Sequence, residues 1–284
     1  MPSDLPNLSA QHMKKMLNDA TILFSGGSDS TLAAVRMLER HRRVHLLTFD
    51  QGLIFFVDRT KIHADLLKEK FGGDRVIHEI IDIRGFFKTV MFGSLRHDLR
   101  TYGPNLTVQV CHGCRIAMHA HAALYNLLNG IKYLADGNIE KQGGEPFQLR
   151  SMMSFNRANY KEFGIVYSSP VYNETRSDLV LEELGLAARR KLKKQFILYD
   201  TQPTCAVGVP ADVYARIFYR GMMKERHRMD SERYRMEKEP LFREFLETEC
   251  ERNDHKLTEL IERLQLIEIE IESPAATEPA EAAT

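Results

Sequence analysis

Short apolar runs alternate with segments of helical periodicity along most of the chain. The runs have the length of buried strands, and they are residues 20–24, 44–49, 76–83, 131–135, 164–168 and 195–199. Apolar side chains recur at helical spacing between them, over residues 31–40, 60–71, 114–128 and 176–184. Strands that alternate with helices predict an α/β, Rossmann-like fold, with a parallel sheet covered by helices on both faces.

The pattern changes after residue 210, where charged residues separate the apolar positions. Residues 211–238 and 241–266 predict two amphipathic helices, with Pro240 as an interruption between them. These helices could pack on the main domain or on a second copy of the chain, as in a homodimer.

We expect three regions along the chain. The main domain covers residues 1–205, a C-terminal helical region covers 206–270, and a tail covers 271–284. The tail consists largely of Ala, Glu, Pro and Thr, a composition typical of disorder.

Composition narrows the setting. The 284 residues include 43% hydrophobic residues, and the 39 Lys and Arg balance the 39 Asp and Glu. A formal net charge of zero indicates no polyanion partner for the molecule as a whole, although a local basic patch remains possible. A long apolar run and a signal-peptide pattern are both missing, so the sequence predicts a cytoplasmic protein that does not span a membrane.

A glycine- and serine-rich hexapeptide follows the first predicted strand and precedes a predicted helix. It reads Ser25-Gly26-Gly27-Ser28-Asp29-Ser30 and is called the phosphate loop below. Two glycines permit a sharp turn and close approach to a ligand, while the helix N-terminus and the serine hydroxyls suit phosphate. Asp29 would repel phosphate, so it is either a helix cap or a magnesium contact. Two glycines alone would favour an ordinary strand-to-helix turn, and the Walker lysine is absent.

Three cysteines form the second group of candidate residues. Cys111 and Cys114 form a Cys-x-x-Cys pair before a predicted helix, whose N-terminus would lower the thiol pKa values. Cys205 follows the last predicted strand and could reach the same edge of the sheet. The three could hold three corners of an iron–sulfur cluster, act as a redox pair plus a nucleophile, or bind zinc with a histidine such as His112. They could also be unrelated buried thiols, and Cys250 is given no role.

The phosphate loop resembles the Ser-Gly-Gly-x-Asp-Ser signature of the PP-loop ATP-pyrophosphatases. The resemblance implies that the main domain binds ATP with Mg²⁺, cleaves it between the α and β phosphates, and adenylates an acceptor oxygen. Phe49 and Asp50, at the end of the second predicted strand, would then lie near the adenine or ribose, or they form an ordinary turn.

The run Cys111-x-x-Cys114-Arg115-x-Ala117, with Cys205 far downstream, resembles the iron–sulfur-dependent tRNA thiolases of that superfamily. The resemblance implies that these three cysteines hold a 4Fe-4S cluster and that they act with Asp29 in catalysis. It also implies that sulfur replaces the adenylated oxygen of a tRNA base.

One segment departs from that family. The thiolases usually carry Gly-His-x-x-Asp-Asp after the fourth strand, whereas residues 136–141 read Asp-Gly-Asn-Ile-Glu-Lys. The glycine is retained as Gly137 and is expected near ATP, but the paired aspartates are missing from this segment. Asp136 and Asn138 could contact ATP or magnesium, or could form a turn.

The acceptor is therefore a tRNA base or a small molecule. The basic run at residues 189–194 could contact RNA phosphates, although a solvated helix end fits the zero net charge slightly better. The leading hypothesis is an ATP-dependent tRNA sulfurtransferase whose sulfur donor the sequence does not identify. The alternatives are a small-molecule sulfur-insertion enzyme and a PP-loop ligase whose cysteines hold zinc.

Overall fold

A computed structural model describes residues 18–105, 107–140, 150–186, 202–208, 210 and 222–267. The described strands are β1 (Ala20–Leu23), β2 (Val44–Asp50), β3 (Ile54–Phe55), β4 (Val76–Asp82), β5 (Tyr133–Ala135), β6 (Val166–Ser168) and β7 (Thr204–Cys205). The described helices are α1 (Ser28–Leu38), α2 (Thr60–Phe71), α3 (Arg84–Phe92), α4 (Leu95–Tyr102), α5 (Gly113–Asn129), α6 (Arg150–Glu162), α7 (Ser177–Glu183), α8 (Met222–Arg252) and α9 (Leu257–Leu266). A 3₁₀ turn covers Val57–Arg59, and a π-helical turn covers Thr107–His112.

Five parallel strands form the main sheet in the order β4-β2-β1-β5-β6. This sheet, flanked by helices, confirms the α/β, Rossmann-like fold class. Successive strands leave β1 in opposite directions, toward β2 on one side and β5 on the other, so a topological switch point lies between β1 and β5. Crevices at such points are where open α/β sheets bind ligands. The predicted strand at residues 195–199 lies outside the described residues.

The sheet separates two hydrophobic clusters, because successive strand residues point to opposite faces. In β2, Leu46 packs into the cluster that contains Leu32 of α1 and Leu67 of α2. Its neighbour Leu47 packs into the other cluster, with Phe87 of α3 and Ile116 of α5. The second cluster is also the one that receives the C-terminal helices.

Helices α8 and α9 lie on the main domain of the same chain. Tyr234, Leu246 and Cys250 of α8 and Leu260 of α9 are buried in the cluster that contains α5. Pro240 does not interrupt α8, so that prediction was wrong, and the helix ends instead at Arg252. Burial of α8 on both sides of Pro240 offsets the lost hydrogen bond, which costs a helix interior about 3 kcal/mol.

The three-region division of the chain and the homodimer stay predictions. The tail at residues 271–284 lies outside the described residues. Within the part of the chain that is described, no helix is long and apolar enough to cross a membrane.

Candidate functional site

The phosphate loop makes a tight turn between β1 and α1. Gly26 has a φ of 71°, a conformation that favours glycine, and Gly27 caps α1 with extended backbone. The loop braces itself through two hydroxyls: Ser30 Oγ accepts from the Ser25 amide at 3.3 Å and donates to the Gly27 carbonyl at 3.1 Å. The Ser25 and Ser30 oxygens lie 3.1 Å apart. These contacts fix the backbone of the loop at the N-terminus of α1, where amide groups suit an anion.

Asp29 lies inside the first turn of α1, because the helix begins at Ser28 and its cap is Gly27. The interpretation of Asp29 as the helix cap is therefore wrong. A carboxylate in the first turn still interacts favourably with the helix dipole. The magnesium contact stays a prediction, as do the phosphate contacts of the loop.

A buried histidine of α2 forms a hydrogen bond with the backbone of the phosphate loop. His63 is buried, and its Nδ1 lies 2.7 Å from the Gly26 carbonyl oxygen. Since a carbonyl only accepts, Nδ1 carries the proton and donates it. The contact fixes the peptide that precedes Gly27. No sequence pattern links these two positions, which come together only because α2 packs beside α1.

Gly137, at the end of β5, lies against the N-terminus of α1. A Cβ at this position would lie 2.7 Å from both the amide nitrogen and the Cα of Ser30. These are backbone atoms that cannot swing aside, so only glycine lets β5 approach the phosphate loop this closely. The sequence marked Gly137 for nucleotide binding, and the structure gives it a packing reason as well.

Asp136 anchors the turn that contains Gly137. It is buried and accepts hydrogen bonds from the Asn138 side chain at 2.5 Å, the Ser169 hydroxyl at 2.5 Å and the Tyr167 hydroxyl. Arg115 of α5 lies 4.0 Å from this carboxylate and donates to the Asn138 side chain at 3.3 Å. Arg115 directly follows Cys114, so the β5 turn and the cysteine helix are joined by one guanidinium.

The end of β2 forms the third side of the crevice. Asp50 accepts the Gly52 amide at 2.7 Å, which closes a turn. Phe49 is 4% exposed and belongs to the hydrophobic cluster under α5, so its ring faces the core. A nucleotide contact at Phe49 would therefore involve the backbone, and the roles of Phe49 and Asp50 stay predictions.

The three predicted cysteines lie in three different types of secondary structure. Cys111 lies in the π-helical turn, a local distortion that is frequent at functional sites, and Cys114 lies in the first turn of α5. Cys205 lies on β7, where it pairs with Ile54 of β3 in an antiparallel ladder. The Gln51 amide points at the Cys205 sulfur from 3.9 Å. The sequence did not predict either strand of this ladder, although the ladder is what positions Cys205.

The thiols are close enough to influence one another. Burial, with smaller contributions from the nearby Cys205 and Cys111, raises the pKa of the Cys114 thiol to about 12. The expectation that the helix N-terminus would lower this pKa is wrong for Cys114, because burial outweighs the helix dipole. A bound metal ion reverses this balance, since coordination deprotonates a thiol outright.

The spacing of the thiols bears on the group they would hold. Among the described residues, His97, Asp98 and Glu237 form a group whose ligand atoms all lie within 4.8 Å of one another. The three cysteine sulfurs do not all lie within that distance of one another. Tetrahedral zinc would hold sulfurs about 3.8 Å apart, given its bond length. A cluster binds each thiolate to a different iron and therefore spreads them further. At least one pair of these thiols is therefore further apart than tetrahedral zinc would hold them, and the group that they bind stays a prediction.

One segment connects the two halves of the crevice. The side-chain oxygen of Gln202 lies 2.8 Å from where a Cβ of Gly27 would stand. Cys205, three residues on, interacts electrostatically with Cys114. The segment that carries Cys205 therefore starts beside the phosphate loop, and its thiol lies near enough to Cys114 to affect the pKa of that residue.

No family model matches the chain. One similar solved structure, described as a predicted subunit of tRNA methyltransferase from Methanocaldococcus jannaschii, shares 19% identity over 59% of this chain and 88% of that one, with a TM-score of 0.39. Another is a U34-tRNA thiolase from Methanococcus maripaludis with its 4Fe-4S cluster, at 15% identity over 83% of this chain and 76% of that one, with a TM-score of 0.41. Similarity this low leaves function to be argued from the residues of this chain.

Proposed function

We propose that this protein is an ATP-dependent sulfurtransferase that adenylates an acceptor oxygen, on a tRNA base, and replaces it with sulfur. One observation carries the proposal: Gln202 lies beside Gly27 of the phosphate loop, while Cys205, three residues later, lies near enough to Cys114 to raise the pKa of its thiol. An adenylated group and a sulfur-carrying group must meet in such a reaction. The reaction therefore requires that the predicted ATP site and the predicted cysteine site lie next to each other.

The phosphate loop would bind and orient ATP. Its backbone amides and the N-terminus of α1 face the phosphates, and Asp29 would hold Mg²⁺ on them. The acceptor oxygen attacks the α-phosphorus, a new oxygen–phosphorus bond forms, and pyrophosphate leaves. The acceptor carbon then carries AMP, a good leaving group.

The cysteines would serve the second half of the reaction. Cys111, Cys114 and Cys205 would hold a 4Fe-4S cluster, which when bound would supply an iron without a protein ligand for the incoming sulfur. A hydrosulfide equivalent attacks the acceptor carbon, and the carbon–oxygen bond to AMP breaks. The original oxygen leaves on AMP, and one ATP and one sulfide are consumed per thiolated product.

Metal analysis of cysteine variants tests the ligand set. The protein is purified and reconstituted without oxygen, and iron, sulfide and zinc are measured on the wild type and on Cys111→Ala, Cys114→Ala and Cys205→Ala. We expect each of these variants to lose the brown colour and most of the iron. Cys250→Ala is the matched control, because Cys250 is a fully buried cysteine of α8 to which no ligand role is assigned. A colourless wild type with bound zinc would favour the ligase, and loss of iron in Cys250→Ala but not in Cys205→Ala would refute the ligand set.

The product and the acceptor are tested separately. Turnover should release AMP and pyrophosphate, which are quantified by chromatography. Mass spectrometry of nucleosides from cells with and without the gene should show a thiolated nucleoside that disappears on deletion. If AMP forms but every thiolated nucleoside persists, the tRNA assignment fails and the small-molecule alternative takes its place.

A further inference from the structure

Two phenylalanines are exposed directly beside the strand that holds Cys205. Phe55 is 57% exposed and Phe56 is 50% exposed, and their rings lie 6.5 Å apart, tilted by 52°. Exposed aromatic rings gain nothing from the hydrophobic core. Two adjacent ones next to a candidate site are therefore more informative than an isolated exposed leucine.

Phe56 also holds a backbone conformation that its side chain disfavours. Its φ of 62° and ψ of 40° are left-handed, and among the described non-glycine residues only Asp254 shares a positive φ. Such a conformation costs about 1–2 kcal/mol for a residue with a Cβ. Retained strain of this kind is concentrated at functional sites.

The strained conformation is fixed by the turn that follows it. The Arg59 amide donates to the Phe56 carbonyl at 3.0 Å, and the Thr60 hydroxyl donates to the Val57 carbonyl at 2.8 Å. This 3₁₀ turn brings the Arg59 guanidinium carbon to 4.0 Å from the centroid of the Phe56 ring. The result is a preformed surface of two rings and a guanidinium, called the Phe55–Arg59 platform below.

The platform is tied to the cysteine site through the β3–β7 ladder. Phe55 pairs with Thr204, and the neighbouring pair is Ile54 with Cys205. One step along a strand is about 3.4 Å, so the backbone of Phe55 lies one residue away from the pair that contains Cys205. A base cannot react inside a stacked helix and must be taken out of it.

We propose that the Phe55–Arg59 platform binds an unpaired base of an RNA strand. Aromatic rings and arginine planes are the groups on which proteins stack unpaired RNA bases, and the guanidinium also complements the phosphate backbone. The inference rests on the proposed function, because it names the surface that would hold the RNA acceptor of that site. It concerns binding alone and needs no chemical step.

The test exploits the left-handed backbone of Phe56. In Phe56→Gly the ring is removed, yet glycine adopts the same φ without strain, so the fold is retained or stabilised. Binding of a fluorescent single-stranded oligoribonucleotide is measured by anisotropy at fixed ionic strength, with the anaerobic full-length protein. We expect Phe56→Gly and Phe55→Ala to weaken RNA binding about 5- to 100-fold, the range for loss of one stacking partner. Phe56→Tyr, which keeps a ring, should stay within about two-fold.

Phe92→Ala is the matched control, since Phe92 is 54% exposed but lies at the end of α3 rather than on the platform. It should bind RNA like the wild type. Three results would overturn the inference: no RNA binding by the wild type, unchanged binding by Phe56→Gly, or a loss of ATP affinity in Phe56→Gly while RNA binding persists. Iron content and AMP release are recorded on the same samples. If the protein holds the cluster and forms AMP, but the platform variants bind RNA like the wild type, only this inference is refuted. If RNA binding depends on the platform but the wild type holds no cluster, only the proposed function is refuted.

Discussion

Gly137 is the residue at which the sheet and the phosphate loop come closest. In Gly137→Ala the new methyl group would lie 2.7 Å from backbone atoms of Ser30, so either β5 or the start of α1 must move. Overpacking of this kind costs about 1–3 kcal/mol. We predict a lower melting temperature and weaker ATP binding by isothermal titration, because the displaced backbone is the part of the loop expected to face phosphate.

Gly73→Ala separates this effect from a general intolerance of alanine at glycine positions. Its methyl group would meet nothing within 4 Å. This control should keep the melting temperature and ATP affinity of the wild type. If Gly137→Ala melts earlier but binds ATP normally, Gly137 matters for packing and the loop is not the phosphate site.

At the scale of elements, a buried ion pair attaches α8 to α4. Lys238 donates to Asp98 at 2.8 Å, and both side chains are almost fully buried. Lys238→Met would leave the Asp98 charge buried without this partner, which we expect to lower the free energy of unfolding by about 3–5 kcal/mol. Chemical denaturation measures this change in stability, and the double variant with Asp98→Asn should recover much of the lost stability.

Arg243→Met is the control, because the ion pair of Arg243 with Glu162 is exposed. We expect this variant to lose less than about 1 kcal/mol of stability. Equal losses in the two single variants would refute the anchoring role.

The elements that the sequence predicted are those with a local signature. Strands β1, β2 and β4 lie within about a residue of the apolar runs that predicted them, and α2 begins and ends where its periodicity does. The β3–β7 ladder has two residues per strand, too few for any periodicity, and its pairing joins distant parts of the chain. The course of α8 through Pro240 likewise depends on what the helix packs against.

The same distinction applies to the candidate site. The phosphate loop and the cysteines could be predicted because the spacing of their glycine, serine and cysteine residues is a pattern within the sequence itself. The support from His63, the link through Arg115 and the position of Phe56 arise from packing, and no short motif encodes them.

At the scale of the whole molecule, buried neutral histidines should make stability depend on pH. Burial lowers the pKa of His78 and of His227 to about 4, and for His78 the charge of Lys68 adds to the effect. The unfolded chain binds protons at the ordinary histidine pKa of 6.5. The unfolded state therefore binds more protons below that pH, and the folded state is disfavoured. The stability that these groups contribute is present above about pH 6.5, declines as the pH falls, and stops declining near pH 4, where the folded state is protonated too.

We predict a loss on the order of 1 kcal/mol per buried histidine between about pH 7 and pH 5, measured by denaturant unfolding at each pH. The Thr48 hydroxyl donates its proton to the Phe24 carbonyl at 2.9 Å, so His78 Nε2 is the donor in its 3.0 Å contact with Thr48 Oγ1. His78→Gln tests the assignment, because the glutamine amide can donate to Thr48 in the same way but does not titrate. This variant should show a shallower decline than the wild type. His255→Gln, at an exposed position, is the control and should decline like the wild type. A slope in His78→Gln as steep as that of the wild type would show that the acid sensitivity arises elsewhere.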